Sequence, residues 1–475
     1  MRMSPIAGIV ATFFLTALWG AGCGSSDADA IDGPGGGPGG GFGTDAGNGG
    51  GFGDGGFGDG SRGDGGGGGG GGDFCKGTGA AIPVPGGDIC TGDLGRKLFK
   101  FAACSCTTTT FSGTLTTDSF NSNVDGGAAR NGGSIGANGK LTSTGAYKIG
   151  GSAYSGGEGV ASDANTVDFT SSSGSTISTD LWSRGNINII DSGTTTIGRD
   201  VRATGKVGSI GVKVTGKVYV PQKSNVSGGV SSGGVVEGPV AVPLPCDCAN
   251  KLDVGSIVSK MKTSNDNAAI KLSPDALANG AAPVTVDLPC GRYYLSAIGG
   301  PGITLNIKGR VALFVEGNLN VAGAFNVNLD PGTEIDIFVK GNFSMAGGTQ
   351  FGSPKFPSKV RIYIGGTSFT LTGRSDVGGN FYAPNATISA PQAGFEMSGS
   401  IYGNKLEFPG FFTVHYDEAV LDLQGCRPPG QTCNSCNDCQ DACKGGQCGG
   451  CTSDADCCAP LRCDTNSGRC ISDVH

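Results

Sequence analysis

A short pattern recurs between residues 303 and 366: apolar residues at every second position, closed by a glycine. It reads ITLNIKG at 303–309, VALFVEG at 311–317, IDIFVKG at 335–341 and VRIYIGG at 360–366. Alternation with period two places the apolar residues on one face of a strand, and the closing glycine turns the chain. Repetition of one short strand unit predicts an all-β fold in which successive coils stack on each other.

Related units occur earlier, in a Ser-, Thr-, Gly- and Val-rich region at residues 107–245. The segments 201–207 (VRATGKV) and 212–218 (VKVTGKV) repeat at a spacing of 11 residues. A β-sandwich with irregular loops is the alternative, but short repeats with glycine corners favour a parallel β-helix. We therefore predict a first β-helical part at 107–245 and a second one at 283–425.

The region between them, residues 246–282, breaks the pattern. Val254, Ile257, Val258 and Met261 follow the spacing of an amphipathic helix. A second, short helix is predicted at residues 273–277, where serine can cap a helix that starts with proline. We interpret this region as a helical insertion that packs against the β-helix.

The first 22 residues have the properties of a signal peptide: Arg2, then an apolar run from Ile6 to Leu18, then small residues before Cys23. A cysteine in that position resembles the lipidation site of bacterial lipoproteins, and the alternative is ordinary cleavage nearby. Residues 23–73, of which 33–72 are mostly glycine, cannot bury a core and predict a disordered tether.

Cysteine usage suggests an oxidising compartment, since 19 cysteines leave an even number once Cys23 is set aside. We predict a Cys-containing N-terminal cap at 74–106 and a disulfide-rich module at 426–475. Seven cysteines lie between Cys75 and Cys290 and eleven lie from Cys426 onward; because both numbers are odd, Cys426 is predicted to bond back to the β-helix. The candidate disulfide cysteines are Cys75, Cys90, Cys104, Cys106, Cys246, Cys248, Cys290, Cys426, Cys433, Cys436, Cys439, Cys443, Cys448, Cys451, Cys457, Cys458, Cys463 and Cys470.

The spacing of the cysteines from Cys433 to Cys443 also matches a ferredoxin cluster run, and zinc is a further alternative. The proline expected after the last cysteine is replaced by Lys444, and six more cysteines follow. An exported chain without a twin-arginine signal is moreover translocated before a cluster is inserted. We expect disulfides here, with no metal and no cofactor.

Catalytic patterns are weak. His415 has acids nearby, but no Gly-x-Ser-x-Gly motif occurs, so a structural role is expected. Glu334 and Asp336 alternate with apolar residues and are predicted to point outward into solvent, as are Thr304 and Asn306. Two outward acids could flank a glycosidic bond, which makes a polysaccharide-processing enzyme the alternative function.

Residues 246–423 resemble a domain of unknown function in bacterial, often myxobacterial, envelope and pilus-associated proteins. The resemblance is carried by LPCGRYY (288–294), VALFVEGN (311–318), RIYIGG (361–366), FYAPNA (381–386) and HYD (415–417). It implies a β-helical surface module without an established activity. Residues 451–470 similarly resemble knottin-like and Dickkopf-type Cys-rich modules, which commonly act in binding.

Together these features predict a non-catalytic lipoprotein of the outer membrane or cell surface with a structural or adhesive role. A pilus or appendage accessory protein is a further alternative. The expected partners are the membrane, through the lipid, and surface polysaccharide or protein. A net charge of −7 without a basic cluster argues against nucleic acid.

Overall fold

A computed structural model describes residues 74–75, 81–84, 87–124, 128–345, 350–371, 376–390, 394–423, 442–458 and 460–471. Predictions for the signal peptide, Cys23, the tether and Cys426 lie outside these residues. The same holds for Cys433, Cys436 and Cys439. The predicted fold class is confirmed: the chain forms a parallel β-helix with a short helical insertion and a small disulfide-rich C-terminal module.

The elements of the first half, in chain order, are β1 (Ala81–Val84), β2 (Gly87–Cys90), α1 (Thr91–Leu98), β3 (Ala103–Ser105), β4 (Thr109–Phe111), β5 (Leu115–Phe120), β6 (Ile135–Ala137), β7 (Leu141–Ser143), β8 (Tyr147–Ile149), β9 (Ala153–Ser155), β10 (Asn165–Ser171), β11 (Ser175–Ile177), β12 (Leu181–Ser183), β13 (Asn186–Ile197), β14 (Val201–Ala203), β15 (Val207–Val214), β16 (Val218–Val220), a 3-10 turn (Lys223–Asn225), β17 (Val226–Ser231) and β18 (Val235–Glu237).

The elements that follow are α2 (Val254–Met261), α3 (Asn267–Ile270), β19 (Val284–Leu288), β20 (Gly291–Leu295), β21 (Ile298–Gly300), β22 (Ile303–Ile307), β23 (Arg310–Val315), β24 (Leu319–Val321), β25 (Phe325–Leu329), β26 (Glu334–Val339), β27 (Phe343–Met345), β28 (Gln350–Gly352), a 3-10 turn (Pro357–Lys359), β29 (Val360–Ile364), β30 (Ser368–Leu371), β31 (Asp376–Ser389), β32 (Phe395–Phe408), β33 (Phe412–Asp417) and a 3-10 turn (Glu418–Asp422). The C-terminal module contains β34 (Ala442–Lys444), β35 (Gln447–Gly449), a 3-10 turn (Asp454–Asp456), β36 (Arg462–Asp464) and β37 (Arg469–Ile471).

Each coil of the β-helix has three sides, which we call faces 1, 2 and 3 in chain order. In the first complete coil they are β19, β20 and β21, and each strand pairs in parallel with its counterpart in the next coil. Inward Ile, Leu, Val and Phe side chains stack coil on coil into one hydrophobic core that spans both halves of the chain. At a corner, the side chain of Asn318 accepts a hydrogen bond from the backbone N–H of Asn342 at 2.8 Å.

The two halves of the chain are stacked in reverse order. The last coil of the second half meets the first strands of the first half, because β32 pairs with β3 and β4, and β33 pairs with β5. We call this junction the seam. The coil at the seam is completed by both halves, with β33 on face 1, β3 on face 2 and β4 on face 3. Neither half is therefore a closed solenoid by itself at this level.

Face 2 runs the full length of the described solenoid. It contains thirteen strands in the spatial order β20, β23, β26, β29, β31, β32, β3, β6, β9, β12, β14, β16 and β18. At a strand spacing of ~4.8 Å the stack is about 60 Å long. We call the end formed by β19 to β21 the basal end, and the end formed by β17 and β18 the distal end.

The segment predicted as an N-terminal cap runs from the basal end along the side of the solenoid. Cys75 is bonded to Cys290 at the basal end, and α1 then follows the outside of face 2. Phe99 accepts a hydrogen bond from the hydroxyl of Tyr416 at 2.7 Å, close to the seam. Residues 103–105, which the cap was predicted to include, are instead strand β3 of the solenoid. The N-terminal segment therefore covers the side of the basal half.

The segment 238–283, which we call the strap, returns the chain from the distal end to the basal end. It reaches the seam at Cys246 and Cys248 and follows face 2 with α2. It then passes β20, where Asn267 donates to the carbonyl of Tyr294 at 2.7 Å, and reaches β21, where Leu277 accepts from the backbone of Gly299. The predicted helix α2 is present with the expected buried face. The second predicted helix is wrong, because residues 273–277 form a turn, and the short helix is α3.

Three long-range disulfides fasten these covering segments. They join Cys75 to Cys290, Cys104 to Cys246 and Cys106 to Cys248. Two short-range disulfides, Cys451–Cys463 and Cys457–Cys470, lie within the C-terminal module. Such a set of bridges is typical of exported or extracellular proteins. No helix in the described part of the chain is long and apolar enough to cross a membrane.

Cys90 gives a testable prediction of connectivity. It is disulfide-bonded, yet the other six cysteines between residues 75 and 290 are paired with one another. We expect its partner to be a cysteine from Cys426 onward, and Cys426 itself by the parity argument. Mass mapping of the non-reduced, proteolysed protein should recover a Cys90–Cys426 peptide. Recovery of Cys426 bonded within the C-terminal module would contradict this assignment.

Candidate functional site

The two acids singled out by sequence, Glu334 and Asp336, lie in a buried cluster of charges on face 2. Arg361 donates from Nε to Oδ1 of Asp336 at 2.7 Å and from Nη2 to Oε2 of Glu334 at 2.8 Å. Arg310 contacts both acids as well, and its Nη2 lies 3.2 Å from Oδ2 of Asp336. Each of the four side chains is at most 2 % exposed. The cluster pairs two cations with two anions.

Neighbouring groups complete the hydrogen bonding of this cluster. Arg361 also donates from Nη1 to the carbonyl of Ser358 at 2.9 Å, and Arg310 bonds to the hydroxyl of Thr91 at the start of α1. Burial by itself raises the pKa of Asp336, but the charges of Arg361 and Arg310 outweigh it and hold the pKa below its usual value. Asp336 is therefore ionised and fully occupied, which suits a structural ion cluster better than acid–base chemistry.

The prediction that Glu334 and Asp336 point into solvent is wrong. Both do point away from the solenoid interior, as the alternation in β26 requires, but α1 and the strap helix α2 cover this stretch of face 2. The alternation reports only the inner face of a strand. Whether the outer face meets water depends on segments distant in sequence, and here Thr91 and Phe74 reach Arg310 across more than 200 residues.

Replacing Asp336 by Asn should strongly destabilise the protein. It leaves Arg361 and Arg310 buried with only one acid, and breaking a buried ion pair in this way costs about 3–5 kcal/mol. Asp287→Asn is the matched control, because Asp287 is an exposed acid on face 1, where we expect a change below about 0.5 kcal/mol. Urea unfolding followed by circular dichroism measures both, and equal effects of the two variants would argue against the cluster's structural importance.

His415 lies at the seam on face 1 and joins the two chain halves. Its Nδ1 is 2.7 Å from Oδ1 of Asp118 in β5, and its Nε2 is 3.2 Å from Oε1 of Glu396 in β32. The bond to Asp118 is the largest cause that raises the pKa of His415, while partial burial opposes it. With a carboxylate at each ring nitrogen, the imidazolium form is favoured. Neither nitrogen is left as a base for a nucleophile, so the arrangement supports a structural role.

The raised pKa predicts that His415 stabilises the fold at acidic pH. Its contribution is fully present below about 6.5, the usual histidine pKa, and is lost as pH rises through the higher pKa of the folded state. The loss of stability caused by His415→Gln should therefore be larger at pH 5.5 than at pH 8.5. Thermal unfolding of both proteins at the two pH values measures this, with Thr116→Ser on the adjacent strand β5 as the control. A pH-independent difference would contradict the ion triple.

Two hollows lie on the described surface near the seam. The larger, about 550 Å³, lies between the end of α1, the strap and the C-terminal module, and includes Lys100, Asp247 and Tyr402. Burial lowers the pKa of Lys100 to about 7, although Asp247 opposes that shift. The smaller hollow, about 380 Å³, lies beside His415 and Lys355. Their linings are mixed in charge. The smaller hollow also includes Ser398 and Asp118, but the two ring nitrogens of His415 are engaged by Asp118 and Glu396 and not by the serine.

The C-terminal module contains a group of potential metal ligands whose atoms converge: Cys451, Cys457 and Cys470. All three are in disulfides, so their sulfurs are not available as thiolates. Cys443, at the end of the ferredoxin-like run, is also disulfide-bonded. The module contacts the solenoid through Arg462, which pairs with the buried acid Asp180 at 2.5 Å.

Residues 249–423 match the model of a domain of unknown function, DUF7305. The matched region starts within the strap and ends after β33, so it contains the charge cluster, His415 and the basal half of the solenoid. No curated protein and no solved structure gives a significant match to the chain. The match therefore shows a domain of unknown function in this half of the chain and assigns no activity to its residues.

Proposed function

We propose that this protein is a cell-surface lipoprotein with a non-catalytic, structural and adhesive role. In this proposal Cys23 carries the lipid, residues 24–73 form the tether, and the solenoid is a rigid element held away from the membrane. The resemblance of residues 246–423 to envelope and pilus-associated proteins supports the location, as do the disulfides. The expected partners are protein or polysaccharide of the cell surface.

The observation that carries the proposal is the way the solenoid is locked. Parallel β-helices are long and thin, and this one has an N-terminal segment and a strap fastened along face 2 by bridges that close loops of 215 and 142 residues. In the chain-entropy description, one bridge closing a loop longer than 100 residues stabilises by about 4–5 kcal/mol. This construction suits an element that must keep its shape outside the cell.

The alternative of a polysaccharide-processing enzyme was based on Glu334 and Asp336 as solvent-exposed acids, and both are buried. Glu334 and Asp336 are each bound by arginines and shielded from solvent, so they cannot approach a glycosidic bond in this structure. The other alternative, an appendage accessory protein, shares the surface location and differs from the proposal only in its partner.

The proposal predicts a protein that is surface-exposed and protease-resistant in oxidising conditions. Intact cells should yield it to a membrane-impermeant biotin reagent. External protease should remove the tether but leave residues 74–423 whole until a reductant is added. Cys23→Ala should release the protein from the membrane fraction and abolish palmitate labelling, whereas Cys104→Ser/Cys246→Ser should stay attached and become more sensitive to protease. Biotin labelling only after cell lysis would overturn the surface location.

A further inference from the structure

Among the described residues, no segment closes the distal end of the solenoid. In the coil formed by β17 and β18, the inward valines Val226, Val230 and Val235 are only partly buried. Their counterparts one coil earlier, Val207, Val212 and Val218, are at most 5 % exposed. Core positions of the last coil therefore face outward along the solenoid axis.

The strand edges at this end are also free. β17 pairs with β15 and β18 pairs with β16, and no other strand in the described part of the chain pairs with either of them. Backbone N–H and C=O groups on the far edge of a strand are strong hydrogen-bonding groups that another strand can satisfy. All three faces end in this way at the same level.

The basal end is built differently and provides an internal comparison. The strap continues the coil there: Ser296 donates from its backbone to the carbonyl of Pro274 at 2.8 Å, and Gly299 donates to that of Leu277 at 2.7 Å. Leu277 is 2 % exposed and covers the core. Two of the three faces are thus closed by the chain itself at the basal end, and none is closed in this manner among the described residues at the distal end.

The strands of the distal edge, β17 and β18, lack the lysine, the proline and the inward-pointing charge that keep exposed strands apart, although β18 is only three residues long. Natural edge strands carry lysine or proline, or inward-pointing charges, which prevent pairing with another chain. β17 reads VSGGVS and β18 reads VVE, so Glu237 is the only charged residue in the two strands. Glu237 is engaged, since it accepts a hydrogen bond from the backbone N–H of Lys223 at 3.0 Å.

We propose that the distal end is a docking surface for the distal end of a second copy of this chain. A two-fold axis through face 2 places β18 antiparallel to β18 of the second copy. The same axis places β17, which spans faces 3 and 1, antiparallel to β17 of the second copy. The valines of the two last coils then bury each other. The occupant fits because it has the same cross-section, the same free edges and the same apolar centre.

An outer column on face 2 favours the same arrangement. Tyr154 stacks on Trp182 with ring centroids 5.7 Å apart, and Arg202 lies over the rings of both Trp182 and Tyr219. Val236, which is exposed, is the next position in this column and the last before the open end. Pairing across the two-fold axis would place Val236 against Val236 and continue the stack into the second copy.

The geometry gives this contact a function at the cell surface. The chain enters the solenoid at the basal end, where Cys75 is bonded to Cys290, so the tether is joined at the opposite end from the docking surface. Pairing of two distal ends makes a rod of about 120 Å, twice the length of one stack, with a tether at each extremity. If the protein is on the cell surface, as proposed above, the end-to-end dimer joins two separate cells or layers through identical surfaces.

The test uses the purified full-length mature chain with Cys23→Ser in sedimentation-velocity experiments from about 1 to about 100 μM, since the contact is smaller than the ~800 Å² per partner of standard interfaces. We expect a reversible dimer. Val230→Lys places like charges within the contact and should weaken dimerisation at least about 100-fold. Ser231→Lys, an outward position on the same strand, should dimerise like the unchanged protein. Circular dichroism should show that both variants keep the β-rich fold of the unchanged protein at the temperature of the experiment.

Position 236 tests the geometry directly. Val236→Cys should form an intermolecular disulfide under mild oxidation, whereas Val124→Cys, which is 75 % exposed and lies far from the distal end, should not. A protein that stays monomeric at the highest concentration overturns the inference, as does a dimer that resists Val230→Lys or fails to crosslink at position 236. Because these measurements use purified protein, a dimer combined with an intracellular location would refute the proposed function and leave the docking surface standing.

Discussion

Coil-on-coil stacking across the seam is the interaction on which this structure depends. A coil of a β-helix buries its inward residues and its strand edges only when another coil lies on each side of it. The coil made of β33, β3 and β4 takes strands from residues 412–417 and from residues 103–111, so the two halves of the chain close one core between them. His415, held by Asp118 on one side and Glu396 on the other, fixes the same junction from the outside.

The reversed order of the halves explains the covering of face 2. A chain that enters the stack in the middle must first travel there from the basal end, and after reaching the distal end it must return. The N-terminal segment and the strap both lie along face 2. The disulfides Cys104–Cys246 and Cys106–Cys248 fasten the strap at the level of the seam. Aromatic stacking between strands of face 2, such as Phe338 on Tyr363 at 4.7 Å, makes the outer side of this face a second, smaller layer of core.

Sequence patterns predicted what depends on neighbours in the chain. The period-two runs identified the strands and their inward residues, and helix α2 followed from the spacing of its apolar residues. On face 1 the outward assignment of Thr304 and Asn306 also agrees with their partial exposure, and Asn306 bonds laterally to Asp287 in the adjacent coil at 2.6 Å. The same argument was wrong for Asp336, because face 2 is covered. Two strands with the same alternation of apolar and polar residues can differ in whether a distant segment covers their outward side chains, and the alternation does not show which one is covered.

The positions of Arg310 and Arg361 in the sequence could have predicted the buried ion cluster, which the alternation of apolar residues alone does not. Arg310 and Arg361 occupy outward positions in strands otherwise rich in Val, Ile, Leu and aromatic residues, each one coil from the acids of β26. Acids and arginines at matching register on three successive coils indicate an ion cluster, and strands buried along their whole length, as β23 and β26 are, require a cover on both faces. By the same reasoning, the valines of β17 and β18 are core residues that no following coil covers within the described part of the chain. In the described part of the chain the strap closes the basal end and no strand pairs with the far edge of β17 or β18, and this asymmetry between the two ends is the basis of the proposed docking surface.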